Sequence, residues 1–355
     1  TRAQAELWHR ALSSIWLEPP DALALHHGSL DVALRAAKQV YHLGATTVYS
    51  HAQDSRFAYT LYVPETIEDA TRPIDLVVSL HGSTRAMEIY RNGFAEFGRW
   101  NDCVILSPLF PVGVLGDSNG DGYKQLVEGD IRYDQVLLDM IASVGKRYGR
   151  RFDTFALFGY SGGGQFTHRF CYLHPEKLWA ASIGAPGSVT LLDAEQDWWV
   201  GVRDFAARFG KPLNLQALQQ LPVHMVVGDS DLETWEITHR EGGKHFMAGA
   251  NAAGRTRPER LATLKASFEA AGVQVHFDLL PNVAHQGIKA MPGHEIIDFV
   301  YDLQGELNTV VRTLCIHRNQ LRACLAQSVE GSAQGAAVFD RFGMTAAHIP
   351  PGKTD

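Results

Sequence analysis

The segment Gly159-Tyr160-Ser161-Gly162-Gly163-Gly164 restricts the fold more than any other stretch of this chain. It directly follows the apolar run TFALFGY and directly precedes a helical pattern that reaches Leu173. A serine at a sharp strand-to-helix turn sits in a strained backbone conformation, and the flanking Gly159 and Gly163 remove side chains that would clash there. Its hydroxyl then projects above the sheet, at a helix N-terminus whose dipole and free N–H groups favour negative charge. Such a turn requires a strand before it and a helix after it, and so an α/β architecture.

The surrounding pattern agrees. TTVYSHA and RFAYTLYVP are β-rich and close together, as in an antiparallel pair. IDLVVSLHG is nearly continuous in apolar residues, as a strand buried on both faces of a parallel sheet is. DCVILSP, TFALFGYS, LWAASIGAP, VHMVVGD and VQVHFDLLP follow as further strands. Helices are expected over 130–148, 163–173, 258–271 and 294–303. Alternation of this kind means right-handed crossovers and a mostly parallel, eight-stranded sheet with helices on both faces. A Trp-containing insert at 187–220, after the sixth strand, interrupts it. Residues 1–44 read as a helical N-terminal extension, 45–304 as the catalytic domain and 305–355 as a C-terminal extension. In the first of these, Ala3, Leu7, Ala11 and Ile15 form one stripe and Asp31–Tyr41 a second helix, separated by Pro19-Pro20.

A serine hydroxyl is a poor nucleophile unless a base takes its proton, and that base is best a histidine oriented by a carboxylate. Where the nucleophile stands on such an elbow, the chain order is Ser, acid, His, each on a loop at the C-terminal edge of the sheet. Asp229 and Asp231 follow the strand VHMVVGD, and His285 follows VQVHFDLLP. Asp231 is favoured over Asp229, which sits too close to the strand end and suits a backbone-bonding role in the turn. His168 lies within a helix and His276 within a strand, and His294 starts the last expected helix. His285 is therefore the expected base. A tetrahedral intermediate needs two N–H donors. Gly162 supplies one, and Ser83, in His81-Gly82-Ser83 after the third strand, the other. His81, Tyr160 and Tyr123 are expected to border the substrate.

These residues resemble the α/β-hydrolase superfamily from about Thr46 to Leu303. Within it the chain is most similar to bacterial esterases and polyester depolymerases of the polyhydroxybutyrate-depolymerase-like type, which often carry a Cys where this chain has Ser83. The resemblance implies hydrolysis of carboxylic esters through an acyl-enzyme, with no cofactor. An amidase, a peptidase or a polyester depolymerase with the same triad are alternatives, and a non-catalytic hydrolase-fold binding protein is the reading from another class.

The segment Asp117-Ser118-Asn119-Gly120-Asp121-Gly122 through Glu128 fits an EF-hand calcium-loop pattern. No helical pattern precedes it, and Lys124 stands where such loops carry an apolar residue. No metal is expected there, but the loop should border the cleft with Tyr123 and Lys124. Trp198, Trp199, Phe205 and Trp235 could line an acyl or alcohol pocket or form a small cap, or else pack the insert onto the core.

Composition narrows the partners. With 32 basic against 39 acidic residues, the net charge of −7 argues against a nucleic-acid binder held by phosphates. No run approaches the ~20 apolar residues of a membrane span. The expected partner is a small-molecule ester. Arg312, His317, Arg318 and Arg322 read as a solvated helix face, with a homodimer contact as the alternative. A soluble protein is expected, either cytoplasmic or exported with a leader removed before Thr1. Cys103 and Cys171 read as small core residues, and Cys315 and Cys324 could pair if the chain reverses between them.

Overall fold

The computed structural model describes Leu34 and residues 37–285. The helices expected at 294–303 and within 1–33, the C-terminal extension, Cys315, Cys324 and the four basic residues from Arg312 to Arg322 lie outside the described residues. Residues 37–41 are helical, the end of the second expected N-terminal helix.

Eight strands form one sheet: β1 (Gly44–Ser50), β2 (Ala58–Val63), β3 (Asp75–Leu80), β4 (Cys103–Leu109), β7 (Phe155–Tyr160), β8 (Leu178–Gly184), β9 (Val223–Gly228) and β10 (Val275–Leu280). Their order across the sheet is β1-β2-β4-β3-β7-β8-β9-β10. β2 runs antiparallel to both β1 and β4, and every later pairing is parallel. The eight segments expected from sequence are all there. β5 (Val127–Glu128) and β6 (Ile131–Arg132) make a small separate hairpin that the sequence pattern did not signal, because two-residue strands have no periodicity to read.

Alternation along the central strands assigns the two faces of the sheet. Leu76, Val78 and Leu80 of β3 join one apolar cluster while Val77 joins the other. Phe155 and Leu157 of β7 part from Ala156 and Phe158 in the same way. The larger cluster is covered by α3 (Tyr133–Tyr148), α4 (Gly162–Leu173) and α7 (Arg257–Ala270), through Leu137, Phe166, Phe170, Leu261 and Phe268. The smaller is covered by α1 (Met87–Gly93) and α2 (Ala95–Trp100), through Tyr90 and Phe97. Strands buried on both faces must be apolar throughout, which is why β3, β4 and β7 read as unbroken runs. Cys103 and Cys171 are buried free thiols.

The α3 helix begins three residues later than expected, after the hairpin. Helix α7 begins at Arg257 on a capping box in which Thr256 accepts from the Glu259 N–H and Glu259 accepts in return. The insert after β8 carries the short helices α5 (Phe205–Phe209) and α6 (Leu215–Gln220). Trp198 and Trp199 are both buried. Trp198 packs on Phe205 and Phe209, and Trp199 lies between Arg169 and His239. They fix the insert to the core, while Trp235 is exposed. A second excursion, 229–256, lies against the first through the bond from Trp199 Nε1 to the His245 carbonyl.

Candidate active site

Ser161 stands between β7 and α4 with φ 58° and ψ −114°, in the left-handed half of the Ramachandran map. A non-glycine residue there costs about 1–3 kcal/mol and persists only where its surroundings hold it. They do so here. Ser161 N–H donates to the Gly184 carbonyl of β8 at 2.8 Å, and the Ser161 carbonyl accepts from Gln165 N–H at 3.1 Å. A Cβ on Gly159 would overlap the Gly163 carbonyl, and one on Gly163 would come within 2.5 Å of the Leu80 carbonyl. The elbow is closed too tightly for any other residue at either position.

The expected acid and base meet this serine. The Ser161 hydroxyl donates to His285 Nε2 at 3.1 Å, and His285 Nδ1–H donates to Asp231 Oδ2 at 2.8 Å. Asp231 is fully buried, and the His285 side chain is 9% exposed, enough to present one edge to the serine. Asp229 has another task. Its Oδ1 accepts from Asn282 N–H at 2.8 Å and from the Ser230 hydroxyl. Together with Ser230 N–H on the Val283 carbonyl, that bond ties the loop carrying Asp231 to the loop carrying His285.

Ser83 is exposed, and its loop runs against the nucleophile: a Cβ on Gly82 would stand 3.4 Å from Ser161 Cβ. Among the described residues no backbone carbonyl accepts from the Ser83 N–H. The Gly162 N–H opens α4 beside it. Arg85, which carries no sequence signal, fastens this loop. Its guanidinium donates to the Ser83, Phe110 and Gly120 carbonyls and lies over the Tyr123 ring.

The residues expected to border the substrate divide. Tyr160 stacks on the His285 imidazole and is half-buried. Tyr123 is buried, with its hydroxyl directly under the Gly162 Cα and the Ser83 hydroxyl as polar neighbour. Burial pushes its phenol well above the ordinary range. It supports the Ser83 and Gly162 backbone from below and offers no surface to a substrate. His81 is also fully buried, with Nδ1–H donating to the Gly82 carbonyl and Nε2 accepting from Phe110 N–H. Burial pushes the ring down to about 3, so it stays neutral as a pin between two loops. Both depart from the sequence expectation for the same reason: a position after a strand end does not tell whether the side chain turns toward the cleft or into the core.

The 117–128 loop does run beside the nucleophile, since Lys124 as well as Tyr123 crowds the Gly162 Cα. Its acidic groups are engaged by protein partners. Lys124 donates to Asp121, Asn119 and Tyr133 donate to Glu128, and Asp117 accepts from Asn119 N–H. His245 and Lys124 hold the Asp121 carboxyl well below the usual carboxylate range. The Lys124 ammonium therefore takes up one carboxylate of the would-be cation loop. The fully buried Arg169 of α4 anchors that loop from beneath through the Lys124 carbonyl, together with Thr190 and Ser188 of the insert.

Arg257 is the other residue without a sequence signal. Its guanidinium, 2% exposed, donates to Asp231 Oδ1 at 3.1 Å and to Glu236 Oε2 at 2.8 Å.

No protein-family model matches the sequence, and no curated protein does. By structure the chain is similar to poly(aspartic acid) hydrolase-1 from Sphingomonas sp. KT-1, at 20% identity and a TM-score of 0.55, over 69% of this chain and 95% of that one. It is similar also to a poly(3-hydroxybutyrate) depolymerase from Bordetella parapertussis, at 19% identity and a TM-score of 0.55, over 73% of this chain and 95% of that one. With the sheet order above, these likenesses establish the α/β-hydrolase fold. No described helix is long and apolar enough to cross a membrane.

Proposed function

We propose that the chain is a serine hydrolase that cleaves carboxylic esters through an acyl-enzyme on Ser161. The observation that carries this reading is the unbroken hydrogen-bond line from Asp231 through His285 to a serine held at positive φ on an elbow. A fold can host many functions, but a strained serine aligned with a base and a buried acid has a specific chemical use.

In the first half-reaction Ser161 Oγ attacks the ester carbonyl carbon while His285 Nε2 takes the hydroxyl proton. The carbonyl oxygen becomes an oxyanion facing the Ser83 and Gly162 N–H groups. The imidazolium then donates its proton to the leaving alcohol as the C–O bond breaks. Water enters, loses a proton to His285 and attacks the acyl carbon, and the Ser161 oxygen leaves reprotonated. Throughout, Asp231 fixes the Nδ1–H tautomer and stabilises the imidazolium.

Because the chain is similar in fold to a poly(3-hydroxybutyrate) depolymerase and a poly(aspartic acid) hydrolase, a polyester and a polyamide belong among the substrates to test. The experiment is a panel of p-nitrophenyl esters, poly(3-hydroxybutyrate) and poly(aspartic acid), with a fluorophosphonate probe followed by peptide mapping. Short esters should be hydrolysed, the adduct should map to Ser161, and Ser161→Ala should lose ~10⁴-fold or more in kcat. Full activity in Ser161→Ala, or an adduct elsewhere, rejects the assignment. Turnover of the polyamide but of no ester would move the reading to an amidase.

A further inference from the structure

The charged residues around the triad form a longer line than catalysis by Ser, His and Asp requires. Asp231 has no exposed surface, and its two oxygens have different partners: Oδ2 accepts from His285 and Oδ1 from Arg257. Arg257 stands in the first turn of α7, and its other Nη reaches Glu236, whose side chain is 43% exposed. The sequence of groups is thus Ser161, His285, Asp231, Arg257, Glu236, running from the nucleophile to the surface.

A carboxylate bound through one oxygen can swing about its Cβ–Cγ bond, and a carboxylate pinned through both cannot. The guanidinium supplies that second bond in a buried site, where losing it would leave an acceptor unsatisfied. It also places a cation on the far side of the acid from the imidazole. That cation opposes the positive charge His285 gains in the reaction, and Glu236 offsets part of it from outside.

We propose that Arg257 is a positioning residue for the triad acid, holding Asp231 square to His285, and that Glu236 sets how much of the Arg257 charge the triad feels. This rests on the serine-hydrolase reading above.

Among the described residues, the other charged groups nearby are otherwise engaged. Arg260, one turn further along α7 and within electrostatic reach of Arg257, donates to the Gly254, Gly187 and Ile237 carbonyls. Asp229, on the acid's own loop, bonds to Asn282 N–H. One face of the imidazole meets the Tyr160 ring.

The test is the pH profile of kcat/KM on a p-nitrophenyl ester for the wild type, Arg257→Gln, Arg257→Lys and Glu236→Gln. In Arg257→Gln, kcat should fall about ten- to a hundredfold with little change in KM. Its acid limb should move up by about half to one pH unit, because a cation near the imidazole has been removed. Arg257→Lys, which keeps the charge and one donor, should recover a large part of kcat and return the limb toward the wild-type position. Glu236→Gln alters a half-exposed side chain, so the fold should survive. Its limb should move the other way, to lower pH and by less. Opposite displacements in these variants are not expected of a residue that merely packs.

Superimposable profiles, displacements of the same sign, or an Arg257→Lys no better than Arg257→Gln would overturn the inference. If Arg257→Gln does not fold, the lysine and glutamine variants at 257 and 236 still decide it. Fluorophosphonate labelling of wild-type Ser161 separates the two levels. Labelling and turnover with four coincident profiles reject only the role of Arg257, whereas a wild type neither labelled nor active rejects the serine-hydrolase reading, and the inference falls with it.

Discussion

The phenol ring of Tyr160 lies flat against the imidazole of His285, with 5.4 Å between ring centres and 11° between planes. Tyr160 immediately precedes Ser161, so one elbow fixes that serine and at the same time provides a wall for the His285 ring. Tyr160→Ala should let the imidazole turn away from both partners. An aromatic contact of this kind is worth about 0.5–1.5 kcal/mol, so kcat should fall by up to about tenfold. Steady-state kinetics beside a thermal melt would check this. An unchanged kcat in a folded variant would reduce the stack to simple packing.

The two aspartates after β9 should separate cleanly. Asp231→Asn leaves the imidazole without an acceptor that fixes its tautomer, and kcat should drop ~10⁴-fold. Asp229→Asn retains an oxygen for Asn282 N–H and should cost far less. Kinetics of the two variants in parallel suffice, and a reversed order of effects would identify the wrong carboxylate as the acid.

Gly162 should tolerate no side chain while Tyr123 is present. A methyl on its Cα would collide with the Tyr123 hydroxyl, which makes no well-formed hydrogen bond of its own. Gly162→Ala should lose about 1–3 kcal/mol through overpacking and should displace an oxyanion donor. Adding Tyr123→Phe removes the colliding oxygen. In a double-mutant cycle of stability and kcat the pair should do better than the sum of its members. Strict additivity would show that the two groups do not meet.

Two buried histidines should make the fold sensitive to mild acid. His81 is pushed down to about 3 and His168 well below the ordinary histidine value, both by burial. The unfolded chain protonates these rings near ~6.5 and the folded one does not. Below that pH the unfolded state binds more protons, so stability falls as pH falls, by about 1.4 kcal/mol per pH unit for each ring. The loss from His81 levels off once the folded ring also titrates, near 3. Denaturant midpoints between pH 7 and 5 examine the window above the carboxylates. A flat dependence there would mean that the rings titrate in the folded state.

Chelation should leave the protein unchanged. Lys124 pairs with Asp121 and Lys244 with Asp117, while Glu128 accepts from the neutral Asn119 amide and Tyr133 hydroxyl, so each of these carboxylates already has a protein partner. Treatment with EDTA should alter neither ester hydrolysis nor the melting temperature. A calcium site filled at ~100 times its Kd would contribute ~2.7 kcal/mol. A melting temperature that falls by several degrees, returns with Ca²⁺ and does not respond in Asp121→Ala would make this loop a metal site.

Much of the site was legible in the chain because its signals are local. The glycines around Ser161 mark a turn that must be tight. The unbroken apolar runs mark strands covered on both faces. Asp231 and His285 could be assigned because parallel strands deliver their following loops to one edge of the sheet, so chain order and loop position together nearly determine the pair. Even the choice against Asp229 followed from its distance to the strand end.

What tertiary structure alone decided are the partners of polar groups distant in sequence. Arg257 lies 26 residues beyond the acid it touches, in a helix whose pattern shows only that it is a helix. Arg85 reaches across 35 residues to Gly120, and Arg169 across 45 to the Lys124 carbonyl. His81 and Tyr123 hold positions where the chain passes the cleft, yet their rings turn inward to fill space between loops. Periodicity reports which face of an element is buried. It does not report which buried donor meets which acceptor, because that depends on how separate elements come to rest against one another. The sequence by itself therefore singled out Ser161, Asp231 and His285, and only the packed fold decided which distant groups bond to them.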